Sequence, residues 1–144
     1  MANQEEIYDS PSSWVRKHIQ DYVESDGREG HAWNGVHALL LTTRGRRTGK
    51  LRRTALIYGE DGEKYVIMAS KGGHDFHPGW YLNLTKNPEV QLQVGAEKFA
   101  ARARTASGAE REQLWALMAE IWPDYNKYQA RTKRQIPVVV LERI

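Results

Sequence analysis

The stretch Val36–Gly59, VHALLLTTRGRRTGKLRRTALIYG, decides the fold. Its apolar runs VHALLLTT and TALIYG flank a block in which Arg44, Arg46, Arg47, Lys50, Arg52 and Arg53 are cationic and no residue is acidic. Strand-length apolar runs on either side of a glycine-containing turn predict a β-hairpin whose turn and strand ends carry the charge. Gly45 and Gly49 let the backbone turn tightly. The formal charge of the chain is only +3, so the remainder carries a net −3. Cations gathered in one turn of an otherwise mildly acidic chain are a device for holding an anion, and guanidinium groups suit phosphate and carboxylate. A solvated charged turn and a nucleic-acid arm are the competing readings. Nucleic-acid domains usually spread their cations over a whole face, whereas the rest of this chain is acidic. The expectation is a small anionic ligand and no nucleic acid.

Beyond the hairpin, Gly59-Glu60-Asp61-Gly62 reads as a tight turn into a strand at Lys64–Ser70. A glycine-rich loop follows (KGGHDFHPGW, from Lys71), then a short helix over Trp80–Lys86. Glu89–Val94 alternates, with Val90, Leu92 and Val94 on one face and Gln91 and Gln93 on the other, and pairs with a strand at about Lys98–Thr105. Ser107 and Glu110 form a capping-box signature. The helix they open places Leu114, Leu117, Met118 and Ile121 on one face and stops at Trp122-Pro123. DYNKYQARTKR adds a helical turn or two. Ile136–Leu141 is a β-branched closing strand at a proline-marked edge.

On the N-terminal side, Ser12 or Ser13 caps a helix from near Trp14, with Val15, Ile19, Tyr22 and Val23 at helical spacing and Trp14 and His18 along one margin. Its mixed charge favours covering one end of a sheet over lying on a lipid surface. A polar tail precedes it, and SDGREGHAWNG after it reads as a loop. Six strands joined mainly as hairpins, with two main helices, predict an α+β antiparallel barrel. No GxGxxG follows a strand, which excludes a dinucleotide-binding doubly wound sheet.

With 144 residues the chain is expected to form one domain, residues 1–144, with an N-terminal helical extension at about 1–30. No apolar run approaches the roughly 18 residues of a membrane span, and the start MANQEEIYDSPSSW lacks a secretory signal's apolar segment. The absence of cysteine fits a reducing cytoplasm. A cytoplasmic place is expected, with peripheral membrane contact through the first helix as the second reading.

Two further stretches carry candidate chemistry. In Met68–Asn83, MASKGGHDFHPGWYLN, glycines free backbone amides to meet a ligand, and Ser70 and Lys71 end a strand. His74 and His77 are three apart, but a zinc-type site needs a third firm ligand, so no metal is expected. In WPDYNKY, Tyr125 and Tyr128 share one side of a helical turn, where phenols can stack on a ring or deliver a proton. Five tryptophans and seven tyrosines can line a flat ligand's pocket or fill a core. No GxSxG, Walker loop or carboxylate pair is present, so a bound cofactor is expected to perform the reaction.

Taken together, LLLTTRGRRTGKLR, YVIMASKGGHDFHPGWYLNLTKNPEVQLQV and WPDYNKYQARTKRQIPVVVLE resemble the deazaflavin-dependent nitroreductase family of small split β-barrel oxidoreductases. The resemblance covers about 36–144. It implies reduced coenzyme F(420), a deazaflavin with a phosphate and a polyglutamate tail, whose hydride passes to an electron-poor acceptor such as a quinone or nitroaromatic compound. By resemblance, Arg46, Arg47, Thr48 and Arg52 meet the phosphate and tail. Arg53, Thr54, Ala55, Leu56 and Ile57 run beside the cofactor. Met68, Ala69, Ser70 and Lys71 lie along the ring, and Gly79, Trp80, Tyr81, Leu82 and Asn83 close over it. Ser70 hydrogen-bonds the ring system, while Tyr125, on the substrate side, and Tyr128 orient the acceptor or pass a proton. Two departures stand out. Trp122 replaces the tyrosine of the family's best-known nitroreductase, which counts against nitroimidazole prodrugs, and LRRTALI stands where the family often has proline and asparagine. A non-catalytic F(420) carrier and an FMN-binding split-barrel reductase are the alternatives, and the oligomeric state is left open.

Overall fold

The computed structural model describes residues 5–144; the first four residues of the polar tail lie outside the described residues. The strands are β1 (Ile7–Asp9), β2 (Ala32–Trp33), β3 (Val36–Arg44), β4 (Leu51–Ile57), β5 (Gly59–Asp61), β6 (Lys64–Met68), β7 (Glu89–Val94), β8 (Glu97–Thr105) and β9 (Val138–Arg143). The helices are α1 (Ser13–Glu24), α2 (Gly79–Lys86), α3 (Gly108–Ile121) and α4 (Asp124–Ala130). The sheet runs β1-β4-β3-β7-β8-β9-β6-β5, with β2 paired to the start of β3. Every pairing is antiparallel except β1 with β4.

The expected hairpin is present: β3 and β4 pair from Ala38↔Ile57 to Arg44↔Leu51 around the basic turn. Only Tyr58 separates β4, near one end of the sheet, from β5, at the other. The chain itself therefore draws the two ends together and curls the sheet into a barrel. No ladder joins β4 to β6, and this split is where the site forms.

Side-chain alternation assigns each strand two jobs. From β3, Leu39 and Leu41 enter the barrel with Ile67, Leu92, Val139 and Leu141, while Leu40 packs outward on Ile19 and Tyr22 of α1. From β9, Val138 and Val140 face the other way, with Val66, onto Leu114 and Met118 of α3. A strand buried on both faces reads as a continuous apolar run, which explains Val138-Val139-Val140-Leu141. Burying side chains of this size contributes about 1.5–3 kcal/mol each. Tyr22 adds a polar anchor: its hydroxyl donates to the Ala38 carbonyl (3.0 Å) and accepts from the Gly95 amide (2.7 Å), tying α1 to two strands.

Several expectations are corrected. Among the described residues nine strands stand where six were expected, because three short strands carry no period of their own. Ile7–Asp9, expected as tail, pairs in parallel with β4. Ala32–Trp33, expected as loop, folds back on β3. Gly59–Asp61 is a strand, and the turn falls at Gly62-Glu63. The closing strand is no edge: β9 lies between β8 and β6, and Pro137 precedes it. Gln93, expected only to lie on the face opposite Val90 and Leu92, is buried, and its Nε2 donates to the Gly95 carbonyl at 3.0 Å. Ser107 starts α3 but its side chain makes no cap hydrogen bond. Glu110 instead takes a two-pronged ion pair from Arg104 (2.6 and 2.8 Å), since a charged partner outbids a backbone amide.

Candidate active site

Two clefts meet at the split. One, of about 290 Å³, is apolar and aromatic; β4 supplies Ala55, Leu56 and Ile57, β6 and its loop supply Met68, Ser70 and Lys71. The other, of about 560 Å³, is basic; Arg46, Arg47, Thr48, Arg52, Arg53 and Thr54 line it. Lys71 and Trp80 line both, so the clefts adjoin. β4 runs from one into the other, cationic at its start and apolar at its end.

In the basic cleft, Arg46 is held in place from α2. Its amide and its Nη1 both donate to Asn83 Oδ1 (3.1 and 3.0 Å), and Asn83 Nδ2 donates to Thr43 Oγ1 (3.1 Å). Among the described residues, Arg46, Arg47 and Arg52 have no carboxylate partner, whereas two neighbours do. Arg44 binds Glu5 through two bonds (2.8 and 2.9 Å). Arg53, a member of the cationic block expected to run beside the cofactor, is neutralised by Asp9 of β1 (2.6 and 3.1 Å), with only about a fifth of either side chain exposed. β1 thus builds a wall of the cleft and removes one cation from it. Breaking a half-buried pair leaves an uncompensated charge. Asp9→Asn is therefore expected to lower stability by about 1–2 kcal/mol, read as the shift in a urea unfolding midpoint.

The aromatic cleft draws on residues far apart in sequence. Tyr125 is 4% exposed and lines the cleft, and its hydroxyl makes no hydrogen bond to a described residue. Burial, and then the neighbouring Tyr128, hold its pKa above the ordinary 10.0, so the phenol is neutral at physiological pH. Tyr128 stands edge-on to it at 6.0 Å and accepts a hydrogen bond from Trp122 Nε1 (3.3 Å). Trp33 tilts against Trp122 at 5.8 Å and stacks on Trp14 at 6.1 Å. All three tryptophans line the cleft.

Lys71, Gly72 and Gly73 follow a left-handed path (φ +45°, +62° and +85°) that carries Lys71 to the junction. Gly73 lies so close to α4 that a Cβ there would sit 2.6 Å from the Tyr128 carbonyl oxygen. The loop and the tyrosine helix are therefore one packed unit.

Three residues expected along the ligand line neither cleft. Ala69 is fully buried between Met68 and Ser70, which face the cleft as strand alternation requires. On α2, Trp80 and Asn83 share one helical face with Gly79, and Tyr81 and Leu82 fall off it. Tyr81 instead bonds Thr105 (2.9 Å) and packs on His77. His74 is exposed and His77 Nδ1 meets Arg134 (3.1 Å); no three His, Asp or Glu side chains converge among the described residues. Trp14, His18, Trp33 and the β1 wall take places at the site that no motif in the sequence announces. The only local signal was that Trp14 and His18 lie beside the apolar face of α1 rather than on it.

The structure is a split barrel with an aromatic slot beside a cationic groove, a shape and charge that suit a flat molecule with an anionic tail. The sequence model of the F(420)H(2)-dependent quinone reductase family matches residues 14–143, and the chain belongs to that family of oxidoreductases, whose cofactor is reduced coenzyme F(420). The chain is 42% identical over 133 residues to the F(420)H(2)-dependent quinone reductase Rv1261c of Mycobacterium tuberculosis, covering 90% of this chain and 89% of that protein. A solved F(420)-H(2)-dependent reductase, FDR-A, is 42% identical, with a TM-score of 0.68 over 73% of this chain and 93% of its own. Another solved relative, described as a domain-swapped dimer, is 39% identical, with a TM-score of 0.69 over 92% of this chain and all of its own.

Proposed function

We propose that this protein transfers a hydride from reduced coenzyme F(420) to a quinone-type acceptor, the ring lying in the aromatic cleft and the anionic tail in the basic one. The adjacency of the two clefts, which share Lys71 and Trp80 as lining residues, carries the reading. The residues fit the group: the slot is walled by apolar and aromatic side chains, and Arg46, Arg47 and Arg52 line the adjoining groove without a carboxylate partner among the described residues. Bound there, the reduced deazaflavin supplies a hydride from a ring carbon.

The protein supplies position and hydrogen bonds. Arg46, Arg47 and Arg52, with Thr48, hold the phosphate and tail. Ser70, 9% exposed and without a hydrogen bond from its hydroxyl to a described residue, is placed to bond the ring's polar edge. Tyr125 and Tyr128 face the acceptor. A phenol with a raised pKa is a weak acid but a sound hydrogen-bond donor. Tyr125 therefore donates to the acceptor's carbonyl oxygen as negative charge builds there, and water supplies the proton that completes the hydroquinone.

Tyr125→Phe is expected to lower kcat about 10–100-fold while leaving F(420) affinity unchanged, as measured by cofactor reoxidation and fluorescence titration. Because the folded phenol titrates above its unfolded value of 10.0, the wild type should lose no stability or turnover through this group until pH rises past about 10. The cofactor assignment is tested by titrating the protein with F(420) and, separately, FMN. Selective binding of F(420) supports it, and preference for FMN overturns it. A bound cofactor with no acceptor-dependent turnover would make the protein a carrier. No helix of the described residues is long and apolar enough to cross a membrane. Ile19 and Tyr22 of α1 pack on the sheet, which leaves Trp14 as the exposed large apolar side chain of that helix for any peripheral membrane contact.

A further inference from the structure

Arg134 lies between α4 and β9 and reaches back to the glycine-rich loop. Its Nε donates to the His74 carbonyl (2.7 Å), Nη1 to the Ala69 carbonyl (3.1 Å) and Nη2 to the Ser70 carbonyl (2.7 Å). Nη1 also meets His77 Nδ1 at 3.1 Å. An arginine N–H only donates, so Nδ1 accepts and the imidazole proton sits on Nε2. One rigid guanidinium fork thus gathers four acceptors from nine consecutive residues, Ala69 to His77, a pattern lysine cannot reproduce.

The other end of Arg134 is tied to α4. Gln129 donates to the Arg134 carbonyl (2.7 Å) and accepts from the Ile136 amide (2.9 Å). Arg131 donates to the Gly72 carbonyl (3.3 Å), and Thr132 to Asp75 (3.0 Å). The loop that carries Ser70 and Lys71 and the helix that carries Tyr125 and Tyr128 are thereby joined through this connection. The loop needs such a tie. Past Ala69, whose amide donates to the Pro137 carbonyl (3.0 Å), the chain leaves the sheet through Lys71, Gly72 and Gly73 at positive φ, and Lys71, which is not a glycine, keeps that conformation only where its surroundings over-determine it.

We propose that Arg134 is a positioning residue for the transfer: by holding the Ala69, Ser70 and His74 carbonyls it fixes Ser70 and Lys71 at a set distance from Tyr125 across the cleft. This rests on the function proposed above. Arg134 does not line the aromatic cleft, so it acts through the loop. Displacement of bound groups by about 1 Å costs up to two orders of magnitude in rate while binding held by a distant tail survives.

The test compares Arg134→Gln and Arg134→Lys with the wild type by three readouts: kcat with a quinone, F(420) affinity by fluorescence, and the amide resonances of Ser70 to His74 in the cofactor-free protein. Expected are a fall in kcat of about 10–100-fold in both variants, an affinity within about threefold of wild type, and amide shifts concentrated in this loop. Free guanidinium ion should restore part of the turnover of Arg134→Gly. Unchanged kcat in a folded variant overturns the proposal. So does a loss that vanishes when an osmolyte restores folding, since that marks a purely structural role. If the wild type takes no F(420), the functional reading falls while the clamp is judged by the amides, which must move in both variants for it to stand.

Discussion

Replacing Arg46 and Arg47 together by alanine should weaken F(420) binding about 100-fold. Each charge-assisted hydrogen bond to an anion contributes roughly 1.5–3 kcal/mol, and Arg47 is exposed, so the low end applies: about 3 kcal/mol for the pair. Neither side chain is paired with a described carboxylate, so removing them leaves no described carboxylate without its partner. The turn itself should survive, because its frame is main chain: Gly45 N–H donates to Lys50 O (2.7 Å), and Gly49 N–H donates to Gly45 O (2.9 Å). Isothermal titration at two ionic strengths checks this. Wild-type affinity should fall with salt, and the double variant's should fall less. Equal affinity in the two proteins would remove the anion from this turn.

Gly73→Ala should destabilise the protein by about 2–4 kcal/mol and abolish most turnover. The left-handed conformation alone costs an alanine about 1–2 kcal/mol. The new methyl would also lie 2.6 Å from the Tyr128 carbonyl oxygen and 2.9 Å from its Cα, both backbone atoms, so the loop or α4 must move. Movement of α4 displaces Tyr125 and Tyr128. Gly72→Ala is the control: its φ is +62°, but nothing lies within 4 Å of the added Cβ, so only the conformational cost applies. A thermal unfolding scan should lower Tm by roughly 10 °C for Gly73→Ala and by clearly less for Gly72→Ala. Equal effects would mean that the close approach to α4 does not constrain the site.

The elements legible in the sequence are those whose period is written locally. The β3–β4 hairpin announces itself by two apolar runs around charge, β7 by alternation, and α1 and α3 by helical spacing. β1, β2 and β5 are two or three residues long and exist only because a longer strand offers them a partner. The capping box at Ser107 failed for the same kind of reason: Arg104 competes for Glu110, and sequence spacing does not weigh one partner against another.

Residue types and their short spacings carry the chemistry: a cationic turn, a glycine loop after a strand, a tyrosine pair on one helical side, and through their combined motifs the family. These are properties of residue type and short spacing, which survive without coordinates. Tertiary structure alone decided which of those groups are available. It cancelled Arg53 with Asp9, 44 residues away, turned Ala69, Tyr81 and Leu82 off the clefts, and brought Trp14 and Trp33 onto the wall beside Trp122. It also placed Arg134 across the chain from the loop it holds. Charge pairing, facing and long-range hydrogen bonds depend on where the sheet curls. That curl follows from a single residue, Tyr58, joining strands near opposite ends of the sheet.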